Sequence, residues 1–247
     1  MTYVELLPPD AHRTPDWYER RRPGISASEI AAVLGLSPYE SPWSLWHRKK
    51  GLLDPQPDND AMEWGRRIEE LIVAKFAERH PELHVVPVGL IASRERPWQL
   101  ATPDAIAEDV DRGPGTAAVT ALLAGVEAKT TDSWDGWGEP GTDDVPVYYR
   151  AQKLWQMDVL GVDCIYMPVL SRGKDYREYV TVRDDAAQAD LELMRDAAQA
   201  FLASLEHDTP PPLDAHPATT ATLRALHPDV EDVDVEVPAT LAETYRE

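Results

Sequence analysis

Two short extended stretches constrain this chain more than any other part of it: Gln99-Leu-Ala-Thr-Pro-Asp104-Ala-Ile-Ala and Ala124-Gly-Val-Glu127-Ala-Lys129-Thr. Glu127 and Lys129 are two apart, so on a strand they share one face while Val126 and Ala128 take the other. If the two strands pair, Asp104 and Glu127 converge on one cation and Lys129 stands beside them. Two carboxylates and an ammonium around a divalent ion suit hydrolysis of a phosphodiester, because the metal clamps phosphoryl charge and acidifies a water. The pattern E-x-K alone more often marks a solvated strand edge. The metal reading therefore depends on acids and anion-binding groups elsewhere in the chain.

A third acid comes from the segment from about Ala61 to His80, bounded by Asn59/Asp60 and Pro81. At about 100° per residue, Ile68, Ile72, Gly65, Phe76, Met62 and Val73 form one apolar stripe. Glu69 lies in the middle of that stripe, whereas Glu70 falls on the polar side with Glu63. Burying an unpaired carboxylate is costly, so Glu69 needs a cation, a set of hydrogen bonds or a raised pKa. A salt bridge to a buried arginine would satisfy it equally well.

The 247 residues suffice for one large domain with appendages, and 43% hydrophobic content with eight tryptophans indicates a globular core. No apolar run approaches membrane-spanning length. The opening residues lack a basic-then-apolar pattern, so no secretory signal is expected. Cys164 is the only cysteine, which excludes an internal disulfide and a one-chain Cys₄ site, and a cytoplasmic location is the expectation. The net charge of −20 is unusual for a nucleic-acid partner, but it is unevenly spread. Residues 1–100 carry 13 Lys+Arg against 15 Asp+Glu, and residues 184–247 carry 3 against 15. Basic clusters remain at Arg20-Arg21-Arg22, His47-Arg-Lys-Lys50 and Arg66-Arg67, so a local cationic channel is compatible with the acidic bulk.

Along the chain, residues 1–15 read as a proline-rich, loosely attached arm, and Asp16 as the cap of a short helix through Arg22. Ser26-Ala-Ser-Glu29 has capping-box spacing before a short helix stopped by Gly35. Ser41-Pro42 starts the next helix, Gly51 ends it, and Lys49 and Lys50 suit its C-terminal dipole. Extended structure follows from His84 to Ile91 and from Trp98 to Ala107. Residues 108–123 open as a turn between the two acid-bearing strands. A long loop rich in Gly, Asp and Trp runs from Thr131 to Val147, where Trp134 and Trp137 either stack on bases or pack the loop down. Tyr148–Leu160 is a helix with Gln152 and Gln156 on one face. A hairpin, an Ala-rich helix capped by Asp184, and an acidic segment with at most brief helix complete the chain. Helix, strand, strand, helix, strand, strand, helix makes a mixed α/β fold with a central sheet flanked by helices.

These pieces resemble a known family. Pro103-Asp104 with Glu127-Ala-Lys129 resembles the PD-(D/E)xK nuclease signature, and the flanks resemble the YqaJ viral recombinase and phage lambda exonuclease branch of that superfamily. Trp17-Tyr-Glu-Arg-Arg21 with Ile25-Ser-Ala-Ser28-Glu-Ile-Ala-Ala-Val-Leu-Gly35 is similar to its opening motif. Trp64-Gly-Arg-Arg-Ile-Glu69 and Tyr149-Arg-Ala-Gln152 are similar to its G-x-x-x-E and Y-x-x-Q helices. The resemblance covers roughly residues 16–206, leaving 207–247 as an acidic, proline-containing tail. It departs at Leu154, where a second glutamine is frequent, at Ala105, where glycine is usual, and in a longer connection between Asp104 and Glu127.

The resemblance implies a restriction-endonuclease-like core and a 5′→3′ deoxyribonuclease that digests one strand of linear duplex DNA to leave 3′ overhangs. It implies Mg²⁺, with Mn²⁺ as a substitute, held by Asp104, Glu127 and Glu69, and Lys129 orienting or activating the attacking water. Arg21, Ser28 and Gln152 would grip the 5′-phosphate, a role that an arginine fork, a hydroxyl and an amide suit chemically. A single-strand annealing protein and a ring-shaped homotrimer are the implied partners. Two other readings compete: an endonuclease or repair nuclease on the same core, and a non-catalytic DNA-binding scaffold. An end-gripping group argues against the first, and retention of all four catalytic-type residues argues against the second.

Overall fold

The computed structural model describes residues 2–53, 60–111 and 118–228. Ten strands form two sheets, and seven α-helices pack around them in the described residues. The smaller sheet has the order β1-β4-β5-β2, built from Tyr3–Leu7, Leu90–Ser93, Gln99–Ala101 and Ile25–Ser26. The larger has the order β10-β9-β7-β6-β3, built from Asp175–Val182, Cys164–Ser171, Ala118–Val126, Ala105–Asp111 and His84–Val86. The short strand β8, Lys129–Thr131, pairs with β9.

The expected strand from Trp98 to Ala107 is broken. Thr102-Pro103-Asp104 separates β5 from β6, and the two halves join different sheets, since proline offers no N–H to a ladder. The expected N-terminal arm is in fact β1, which pairs antiparallel with β4 from Tyr3↔Ser93 onward; its prolines follow the strand instead of interrupting it. Helix α1, Pro15–Arg21, is capped by Thr14 and not by Asp16: the Thr14 hydroxyl accepts from Trp17 N–H at 3.3 Å. The Ser41 cap with Pro42 opens α3, Pro42–Lys49, and Ser44 completes the capping box that satisfies its first amides. The expected turn of residues 108–123 falls partly on 112–117, outside the described residues; its flanks are strands β6 and β7.

Two helices sandwich the larger sheet. Helix α4, Asp60–Arg79, buries Ile72 and Phe76, and Phe76 packs on Ala105, Ala107, Ala124 and Val126. Helix α5, Val147–Leu160, covers the opposite face with α2, Ile30–Val33, and α6, Asp185–Glu206. It ends at Gly161 in the left-handed region, φ 68°, and α6 is capped by Asp184. Strand alternation sorts the sheet residues between these layers: Ala105 and Ala107 face α4, whereas Ile106 faces the α5 core.

The loop after β8 packs down. Trp134 and Trp137 lie against Val145, Met167, Val169 and Tyr179, so packing accounts for both rings. Asp143 fastens the loop, accepting from Lys153 Nζ and Arg150 Nε at 2.8 Å each, and from the Thr181 hydroxyl. In the C-terminal segment, Pro217–Leu226 forms α7. Its buried Thr219 shares a 2.6 Å hydrogen bond with Ser41 at the start of α3. The rest of the expected tail, 229–247, lies outside the described residues. No helix among the described residues is long and apolar enough to cross a membrane.

Candidate active site

The carboxylate group is assembled where β6 and β7 begin and end. Antiparallel pairing sets Ala105 opposite Val126, which brings the preceding Asp104 beside the following Glu127. Strands β7 and β8 both run parallel to β9 in one continuous register, Val126↔Tyr166 and Lys129↔Val169. Glu127 N–H still donates to the Tyr166 carbonyl at 2.9 Å, but the ladder lapses beyond it, opposite Pro168, which has no N–H to contribute. The Ala128 N–H, released from the sheet, donates to Asp104 Oδ2 at 2.7 Å. Val126 and Ala128 are fully buried, and Lys129 Nζ donates to Glu127 Oε1, so the shared face of Glu127 and Lys129 is realised.

Glu127 is almost fully buried, with donors on both oxygens. Gln152 Nε2 meets Oε1 and Gln156 Nε2 meets Oε2, each at 2.5 Å, from successive turns of α5. Glu69 enters from α4, half-buried, while Glu70 is exposed. Burial, reinforced by Glu127, raises the Glu69 carboxyl above its usual range against the pull of Lys129. Burial, Glu127 and Glu69 raise Asp104 well above it. Burial alone would lower Lys129, but Glu127, Asp104 and Glu69 outweigh it and hold the ammonium protonated.

A second group faces these acids. Arg21, at the end of α1, lies over the Trp17 ring with Cζ 4.0 Å from its centroid. Its Nη2 donates to Ser28 Oγ at 2.9 Å and to Ser26 Oγ. Behind them sits buried Glu29, which ion-pairs with Lys49 at 2.8 Å and with Arg21 and Arg48 at 3.4 Å each. Burial would raise the Glu29 carboxyl, but Lys49, Arg21 and Arg48 hold it below the usual carboxylate range. Lys49 Nζ also donates to the Arg21 and Gly24 carbonyls at 2.8 and 2.6 Å. Gly24 is required here: a Cβ would lie 2.4 Å from the Trp98 carbonyl oxygen. Arg48 is also paired with Glu40 at 2.7 Å, so three cations face two carboxylates and one positive charge is left over, suited to an anion.

Arg21, Ser28, Glu69, Asp104, Glu127, Lys129 and Gln152 all line one cavity of about 740 Å³. Its geometry assigns Gln152 to Glu127, so a grip on phosphate by this amide requires it to leave that carboxylate. Four supporting residues carry little signal in the sequence. Glu29 and Ser26 read as a capping box, and the backbone part of that box is present, with Ser26 N–H donating to Glu29 Oε2 at 2.9 Å. Lys49 reads as a helix-end lysine. Gln156 shares a helix face with Gln152, the one signal that points to its place. Among the described residues, no three His, Cys, Asp or Glu side chains stand together as a ready-made ion cage.

Mixed sheets flanked by helices, with acids where two central strands meet, make a mixed α/β fold of the restriction-endonuclease-like class. A family model for the YqaJ-like viral recombinase domain matches residues 16–163, and the chain belongs to that family. The uncharacterized protein YqaJ of Bacillus subtilis (strain 168) is 25% identical over 188 residues, 74% of this chain and 54% of YqaJ. The chain thus spans about half the length of that curated relative. Among solved structures, the alkaline exonuclease LHK-Exo from Laribacter hongkongensis is similar with a TM-score of 0.59 at 21% identity, over 87% of this chain and 100% of LHK-Exo. A phage related exonuclease from Haemophilus somnus 129PT is similar with a TM-score of 0.51 at 11% identity, over 75% and 96% of the two chains. At such identities the likeness establishes the shared fold.

Proposed function

We propose that this protein is a Mg²⁺-dependent exonuclease of recombination that digests the 5′ strand of linear duplex DNA and leaves 3′ overhangs. The observation that carries the reading is the shared cavity, which joins the three carboxylates and Lys129 to the Arg21–Ser28 pair. Three carboxylates beside Lys129, with Asp104 and Glu69 driven up by burial and by their acidic neighbours, form an oxygen donor set that a hard divalent cation would suit. Asp104, Glu127 and Glu69 are the residues that would hold it. Bound there, such an ion supplies an acidified water and neutralises phosphoryl charge.

The chain's own groups divide the remaining work. Gln152 and Gln156 fix the orientation of Glu127. Lys129 stays charged in its carboxylate surroundings, so it orients the attacking water and offsets developing phosphoryl charge instead of removing a proton. Arg21 and Ser28 take the terminal 5′-phosphate, with the positive surplus around Glu29 behind them. A group that holds a terminal phosphate favours cutting from ends, and 3′ overhangs are the substrate of a single-strand annealing partner. A homo-oligomer encircling DNA is consistent with the family, and Mn²⁺ is expected to replace Mg²⁺.

The test compares linear duplex DNA with 5′-phosphate or 5′-hydroxyl ends and a closed circle, each with Mg²⁺ and with chelator. Metal-dependent loss of the phosphorylated linear substrate, with the circle spared, is the expected result. Cutting of the circle would reassign the protein as an endonuclease, and DNA binding without cleavage would leave a scaffold.

A further inference from the structure

The carboxylate cavity does not end at Arg21. A second cavity of about 560 Å³ adjoins it, walled by α1, α3, α4 and α7. Arg21, Ser28 and Tyr39 line both. Tyr39 is 72% exposed, the most exposed large apolar side chain among the described residues. This exposure is built into the loop. The backbone N–H groups of Tyr39 and Glu40 both donate to Ser37 Oγ, at 3.1 and 3.2 Å. Glu40 is in turn held by Arg48 through bonds of 2.9 and 2.7 Å. The ring meets Tyr148 at 5.8 Å and 86°, and most of its surface stays open to the solvent.

We propose that the second cavity is a nucleobase subsite, in which the base of the terminal nucleotide lies against Tyr39 while its 5′-phosphate rests on Arg21 and Ser28. The inference rests on the proposed function, and it assigns a place to the part of the substrate that function leaves unplaced. A nucleotide anchored at Arg21 and cut at Asp104 must put its base somewhere beside that path. Tyr39 stands where the two cavities meet, so a base on its ring extends away from Glu69, Asp104 and Glu127, which line only the first cavity. An exposed tyrosine serves bases of any sequence, because every base has a π-face. The outer wall comes from Ala218 and Ala221 of α7, which lies beyond the residues matched by the family model. The same ring could take the face of an unpaired base or of a terminal base pair.

The test is a binding cycle in chelator, so that nothing is cleaved, using the full chain and 5′-phosphorylated duplexes. The 5′-terminal nucleotide is either normal or abasic. Tyr39→Ala is expected to weaken binding of the normal end about tenfold. Removing the base is expected to weaken binding to the wild type by a similar factor and to leave Tyr39→Ala unaffected, with Tyr39→Phe restoring the wild-type pattern. Terminal 2-aminopurine should be quenched by the wild type and by Tyr39→Phe, and not by Tyr39→Ala. Ala221→Trp, which fills the cavity, should mimic the loss. Tighter binding of a mismatched end identifies an unpaired base as the ligand; equal binding of matched and mismatched ends identifies the end face of the duplex. Equal sensitivity of wild type and Tyr39→Ala to base removal overturns the subsite. If the wild type neither cleaves linear ends nor distinguishes 5′-phosphate, the proposed function itself fails; cleavage with an unchanged cycle removes only the subsite.

Discussion

At the scale of single residues, the site combines groups whose charge is costly with groups that stabilise that charge. Asp104 carries a carboxylate that burial and its neighbours disfavour. Asp104→Asn should therefore abolish cleavage and leave the Tm in chelator equal to or above that of the wild type. Stabilisation by added Mg²⁺ should disappear in the variant; thermal melts with and without metal read both effects. Gln156 holds one oxygen of Glu127 from a fully buried position. Gln156→Leu should weaken divalent-cation binding about 10–100-fold, measured by calorimetry, because a ligand loses the partner that aims it. The places of Glu127, Lys129 and Glu69 were legible in the sequence because strand alternation and the helical wheel show which face each takes, and that of Asp104 followed from pairing the two acid-bearing strands. Glu29 and Lys49 were not: each has a sufficient explanation within its own helix, and spacing along one element does not reveal which other element approaches it.

At the scale of elements, Glu69 is only as well placed as α4. The end of that helix is tied down by His80, whose Nε2 lies 2.9 Å from Glu178 on β10 and whose Nδ1 lies 3.1 Å from Glu82. Burial lowers the His80 pKa, but the two carboxylates outweigh it and raise it above the ordinary value of about 6.5. Its contribution is therefore complete below about pH 6.5 and is lost as pH rises through the raised value. The stability difference between wild type and His80→Asn, from urea unfolding, should be larger near pH 6 than near pH 9. Gly24 sets the turn that places Arg21. Gly24→Ala should destabilise by about 1–3 kcal/mol in the same assay, since backbone must move to admit the methyl group. Caps and stops were readable at Ser41, Gly161 and Asp184 because each acts locally. The partition of residues 99–111 between two sheets was not, since both halves have strand composition and only tertiary pairing separates them. Strand β1 was hidden for a similar reason: its partner, β4, lies far along the chain.

At the scale of the whole molecule, an acidic protein with a net charge of −20 gathers Arg13, Arg21, Arg66 and Lys129 around one cavity. Affinity for a phosphorylated end should thus depend on few phosphate contacts, giving a slope of log K against log salt shallower than about −3. Arg21→Ala should lose the preference for 5′-phosphate over 5′-hydroxyl ends; equal loss on both ends would remove its end-gripping role. Composition anticipates a globular core but conceals this local reversal of sign, which exists only because α1, α2 and α3 meet at Glu29. That meeting has a consequence for how the sequence can drift. Without its acid, position 29 would leave Arg21 and Lys49 facing each other across a buried space, while Arg48 keeps Glu40. A lineage that loses the glutamate can keep the fold only by discarding a cation as well, with Lys49 the nearest choice, so positions 29 and 49 are expected to change together or not at all.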